Sequence, residues 1–228
     1  MLRTARRSAG ALGGEGVRAV AEFVESCRNP DGGFRGRDNL SDLYYTMFAD
    51  ACLAALGRED ARHGLRDFVL RRIGAEIPDA VHAACAVRCL GRHRPGAVRE
   101  LLDFLEERRA EDGSYASCPA SRTGSLLLSF GVWLAYDAAA VPIPAGDELV
   151  VSIASRRTGE GGFADRPGIE LADTPSTAAA AVMLHALGAG TGEGLSWLRA
   201  RRQASGGFAA TAALAVADLL SSATALYA

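Results

Sequence analysis

The sequence predicts an all-α protein built from about five tandem helical hairpins. Three observations carry that reading. A short glycine–aromatic motif recurs along the chain, an amphipathic run ending in arginine precedes each copy, and a capped, nearly uncharged run follows it. Sustained period-two alternation, the mark of half-buried strands, is absent.

The motif reads Asp31-Gly32-Gly33-Phe34, Asp112-Gly113-Ser114-Tyr115, Glu160-Gly161-Gly162-Phe163 and Ser205-Gly206-Gly207-Phe208. The starts lie 81, 48 and 45 residues apart, and the first gap fits two units, with a decayed copy near Gly74-Ala75-Glu76-Ile77. A period in the forties belongs to stacked helix pairs. Adjacent glycines can take positive φ and turn the chain sharply, and the aromatic is expected to fold back and plug the turn.

Residues 1–16 are read as a flexible N-terminal segment and residues 17–228 as the repeat domain. Outer helices are expected over Val17–Arg28, Leu65–Arg72, Ala97–Arg109 and Gly194–Arg202. In the third, Leu101, Leu102, Phe104 and Leu105 alternate with Arg99, Glu100, Glu106 and Glu107 at helical spacing. The terminal arginines complement the negative end of each helix dipole. Inner helices follow: Ser41 or Asp42 caps Leu43–Leu56, Pro78 and Asp79 introduce Ala80–Leu90, and Pro175 stands in the first turn of a helix opened by Asp173. Gly57, Gly91 and Gly188 mark helix ends. The alanine-rich stretches Ala178–Ala181 and Ala209–Ala217 are assigned to inner helices, because small side chains let helices approach closely.

A chain of 228 residues can bury one sizeable core. Its formal net charge of −2 supplies no field for nucleic acid or an anionic membrane surface, so neither is an expected partner. All 25 basic residues are arginine, which excludes lysine nucleophiles and Schiff bases and leaves anion binding to guanidinium groups. The cysteines (27, 52, 85, 89 and 118) lack the spacing of a disulfide framework, and no secretory signal or membrane-spanning run is read. A cytoplasmic protein is expected.

The segment from Gly33 through Arg35-Gly36-Arg37 to Ser41-Asp42-Leu43-Tyr44-Tyr45-Thr46 resembles the catalytic repeat of protein prenyltransferase β-subunits. That family shares an α/α toroid with the terpenoid cyclases, so the resemblance implies this barrel of helical hairpins. In the family an aspartate and a cysteine bind zinc, a tyrosine and basic residues hold the isoprenoid diphosphate, and a later histidine completes the metal site. Matched residue by residue, Asp42 stands at the aspartate, Tyr45 at the tyrosine, Arg37 at the arginine with a one-residue shift, and His82 at the histidine. Tyr44 stands at the cysteine and Asn39 at a lysine. Asp42, His82 and Cys85 give at most three zinc ligands where a closed site needs four, so no metal or other cofactor is expected.

The candidate catalytic residues are therefore Asp42, Tyr45 and His82, and the candidate substrate-binding residues are Arg35, Arg37, Tyr44, Phe48 and Trp133. Each also has a plain structural reading. Asp42 matches Asp79 and Asp173 as a helix cap, Arg35 and Arg37 can be solvated loop residues, and Trp133 with Phe130 can be core. Asp50 and Asp218 read as charges within inner helices and as weaker candidates for a cavity acid. The expected function is binding of an isoprenoid or other elongated apolar substrate with an anionic head, in a prenyltransferase- or cyclase-like protein. The alternative is a non-catalytic binding or scaffold module. Five hairpins against the family's usual six leave the ring open or closed by a second chain or a homodimer.

Overall fold

The computed structural model describes residues 2–75, 79–190 and 192–228. Helices run over Leu2–Ala9 (α1), Gly13–Ser26 (α2), Leu43–Ala55 (α3), Leu65–Ala75 (α4), Ala80–Leu90 (α5), Pro95–Glu106 (α6) and Leu126–Ala139 (α7). They continue over Gly146–Ala154 (α8), Thr174–Ala186 (α9), Gly192–Ala200 (α10) and Leu219–Tyr227 (α11). The strands are two-residue pairs: Phe34–Arg35 (β1) with Ser41–Asp42 (β2), and Phe208–Ala209 (β3) with Ala217–Asp218 (β4), both antiparallel. The chain divides into two compact units, Met1–Asp103 with Ala138–Ala140, and Phe104–Asp137 with Val141–Ala228. In the first, α3 packs on α1, α2, α4 and α5; in the second, α9 packs on α8, α10 and α11.

The repeating motif has one local structure, and its parts have separate reasons. The first glycine takes positive φ in every copy: Gly32 +87°, Gly113 +82°, Gly161 +88° and Gly206 +95°. The second position is set mainly by space rather than by φ. A Cβ on Gly33 would stand 2.7 Å from the Phe68 ring of α4, and one on Gly162 would stand 2.8 Å from the Trp197 ring of α10. The third copy therefore tolerates Ser114, whose buried hydroxyl accepts the Gly124 amide at 2.8 Å.

The aromatic does fold back into the turn: Phe34, Tyr115 and Phe163 are buried. A hydroxyl in the following helix latches its backbone, because a buried amide needs an acceptor. Phe34 N donates to Thr46 Oγ1, Tyr115 N to Ser129 Oγ, Phe163 N to Thr177 Oγ1 and Phe208 N to Ser222 Oγ, each at 2.9 Å. An arginine six residues ahead (Arg28, Arg109, Arg157 or Arg202) forms a β-bridge with each aromatic. Arg28 and Arg109 also lie over the rings of Phe34 and Tyr115, at 4.4 and 4.6 Å.

Three expectations change. Residues 2–9 are helical and followed by a 3₁₀ turn at Gly10–Leu12, where a loose segment is expected. Arg6 Nε donates to the Ala54 carbonyl at 3.1 Å, a second donor to a carbonyl at the C-terminal end of α3 that also accepts Gly57 N at 3.3 Å. Ala209–Ala217 is a hairpin and not a helix; the helix starts at Leu219, with Asp218 as its N-cap accepting Ser221 N at 2.8 Å. Alanine content misplaces this boundary because each inner helix waits for its cap, eight to ten residues beyond the aromatic. Asp218 is thus a cap, and Asp50 is buried in a fork with Arg62 at 2.6 and 2.9 Å; neither is an unpartnered acid. The decayed motif runs into residues 76–78, outside the described residues.

Candidate functional site

The polar centre of the first unit grows from two helix starts. Asp42 caps α3, its Oδ1 accepting Tyr44 N at 2.7 Å and Tyr45 N at 3.2 Å. Asp79 caps α5, its Oδ1 accepting His82 N at 2.9 Å. Their second oxygens converge on one imidazole: Asp79 Oδ2 lies 2.9 Å from His82 Nδ1, and Asp42 Oδ2 lies 2.9 Å from His82 Nε2. A ring with a carboxylate at each nitrogen is suited to carrying both protons. Burial works against that charge, but the hydrogen bonds to Asp42 and Asp79 outweigh it and raise the His82 pKa above its ordinary value. Burial pushes the Asp79 carboxyl up, and the bonds from the His82 backbone and ring more than reverse this, leaving it below the usual range.

Next to this pair lies an aromatic face. Tyr44 meets Tyr45 edge-to-face at 5.6 Å and Phe48 at 4.9 Å, and all three rings are exposed. The Tyr45 ring rests on Gly36, where a Cβ would come within 2.1 Å of it. Glycine between the two loop arginines is therefore what lets the ring lie flat on the loop. Burial raises the Tyr44 hydroxyl pKa, Cys85 and Tyr45 add to the shift, and Arg88 opposes it.

The structure thus brings together Asp42, Tyr44, Tyr45, Phe48 and His82. Arg35 is held away from the carboxylates, donating to Asn39 Oδ1 at 3.2 Å and to the Ser26 carbonyl at 3.1 Å, so it braces the loop. Arg37 is exposed on the same loop. Trp133 belongs to the second unit, stacked on Phe130 at 5.9 Å and half-buried against a core of Leu126, Leu149, Ile153, Phe163, Ala180 and Met183. Asp79 and Gly36 also shape this cluster, and neither is among the candidate residues. The capping spacing Asp79-x-x-His82 is the signal for the first, since cap and third helical residue face each other. The signal for Gly36 is its place between two arginines, opposite an aromatic pair.

The donor set does not suit zinc. Both His82 nitrogens face carboxylates, Asp42 Oδ1 is committed to two backbone amides, and Tyr44 replaces a thiolate. Cys85 is buried, and that burial pushes its pKa to about 12, far from the thiolate a metal needs.

Residues 10–213 match the family described as the prenyltransferase alpha-alpha toroid domain, and the chain belongs to that family. It is a member with an all-α toroid fold. Among solved structures it is similar to the ligand-free type II terpene cyclase MstE from Scytonema, with a TM-score of 0.63 at 16% sequence identity. The likeness covers 86% of this chain and 66% of the cyclase chain. Comparison with curated protein sequences gives no match. No helix among the described residues is long and apolar enough to cross a membrane.

Proposed function

We propose that this toroid domain binds an isoprenoid-like, elongated apolar substrate with an anionic head and acts on it as a transferase or cyclase. The observation that carries the reading is the exposed Tyr44–Tyr45–Phe48 face beside an imidazole held between Asp42 and Asp79. The apolar chain lies on the three rings, whose π-faces also stabilise positive charge developing on an alkene. Arg37 meets the anionic head, since a planar guanidinium matches phosphate oxygens in a bidentate fork. His82 holds a proton at Nε2, shared with Asp42, within the same group of residues. The free thiols, two of them buried, support a reducing, cytoplasmic setting.

A second reading is favoured by one feature of the same geometry. His82 spends both nitrogens joining the caps of α3 and α5, which is also how a structural staple is built. On that reading the domain is a binding or scaffold module. Isothermal titration with farnesyl and geranylgeranyl diphosphate separates the two. The ligand reading predicts saturable binding that R37A and Y44A each weaken by about tenfold, equal to one ordinary contact. The staple reading predicts that neither prenyl diphosphate binds at this face, with H82A lowering stability alone.

A further inference from the structure

The outer helices α6, α8 and α10 keep one spacing, and α10 departs from it at one position. Arg109, Arg157 and Arg202, which bridge to the motif aromatics, fix the register. Counting back from each, the fourth residue is apolar and buried: Leu105, Ile153 and Leu198. The eighth is a buried leucine in α6 and α8, Leu101 and Leu149, but Gly194 in α10.

Leu149 shows what that position does. It packs into the core with Leu126, Phe163 and Met183. Gly194 has no side chain to do the same, and its neighbours do not close in. A Cβ placed there would meet Phe163 and Thr177 at 3.5 Å and Ala181 at 3.7 Å, ordinary contact distances without overlap. Glycine is therefore not demanded by crowding.

Beside Gly194 lies a cavity of about 410 Å³. Val150 and Ala154 of α8, Phe163 of the motif, and Ala181 and Leu184 of α9 line it. These walls and α10 are consecutive elements of one compact unit. Arg157 also lines the cavity and is exposed, so it brings a positive charge to the rim. Apolar cavities stay dry and accept apolar guests. Small-molecule sites have volumes of roughly 300–1,000 Å³.

We propose that this cavity is a second small-molecule site, which takes an aliphatic carboxylate. The chain fills the space left at Gly194 between α8, α9 and α10, and the carboxylate pairs with Arg157. The apolar lining selects the chain, and charge complementarity at the rim selects the acid. The site shares no residue with the aromatic face of α3 and stands apart from the reading given for that face.

Calorimetric titration of the full chain with decanoate, kept below its micellar concentration, tests the proposal. Saturable one-to-one binding is expected. Gly194→Leu restores the repeated leucine and should weaken binding at least about tenfold. The same variant should raise the melting temperature, because it fills the cavity and leucine is the better helix former. Gly194→Ala carries the same test with a smaller filling, should leucine prove too large for the fold. Arg157→Gln and the replacement of decanoate by decanol should each cost about tenfold in affinity. Tyr44→Ala, in the first unit, should change nothing. Absence of saturable binding overturns the proposal, as does binding that both Gly194 variants leave unchanged. Equal affinity for decanol, or full affinity in Arg157→Gln, overturns the carboxylate class.

Discussion

At the scale of single residues, His82 is the group with the most consequences. Its folded-state pKa lies above the ordinary value, so its ion pairs stabilise the fold fully below the unfolded pKa of about 6.5 and fade as pH rises through the raised value. Asp79 works in the opposite direction: its lowered pKa contributes above the unfolded carboxylate value and is lost as the solution becomes strongly acidic. Urea midpoints are therefore expected to fall between pH 6 and pH 9, and H82Q should flatten that slope. An unchanged slope in H82Q means the imidazole is not shared as described. The sequence made Asp42, His82, Tyr44 and Tyr45 legible as candidates, through the resemblance of a short segment. It did not show that Asp42 and His82, forty residues apart, share one hydrogen bond, because that contact depends on how α3 and α5 pack. Arg35 and Arg37 look alike in sequence, yet only Arg35 is tied down, by partners that no spacing rule names.

At the scale of elements, the hydroxyl latch and the buried arginine hold the turns. Thr177→Val keeps the shape but leaves the Phe163 amide without its acceptor, which should cost about 1–3 kcal/mol in chemical denaturation. Arg156 is fully buried, donating to Asp112 Oδ2 at 2.8 Å, Ser114 Oγ at 2.9 Å and the Gly124 carbonyl at 3.2 Å. Arg156→Met takes the cation from a partly exposed Asp112, which keeps its bond from Ser114 N, and should cost about 1–3 kcal/mol. Asp112→Asn in the Met background should recover part of that loss, and no recovery would contradict the pairing. The latch was readable in principle: Asp42 and Thr46, Asp173 and Thr177, and Asp218 and Ser222 repeat one cap-to-hydroxyl spacing. That spacing sets the start of α11 at Leu219, one residue past its cap, where alanine content alone points to residues 209–217.

At the scale of the whole molecule, the fold was the most legible property, because a repeat states the same instruction several times and tolerates one decayed copy. What the repeat could not convey is which copy carries the chemistry. The caps at Asp173 and Asp218 accept helix amides as Asp42 does, yet among the capped starts only those of α3 and α5 share a histidine. The proposed function therefore rests on one unit's departures from the common pattern: paired tyrosines after the cap, a glycine beneath them and an imidazole from the next helix. The most direct test is calorimetric titration of the wild-type chain with geranylgeranyl diphosphate, alongside inorganic diphosphate and geranylgeraniol. Saturable binding of the complete ligand, weaker for either fragment and weakened further by Tyr44→Ala or Arg37→Ala, is the predicted result. Absence of binding, or binding indifferent to both substitutions, contradicts the assignment of this face as the substrate site.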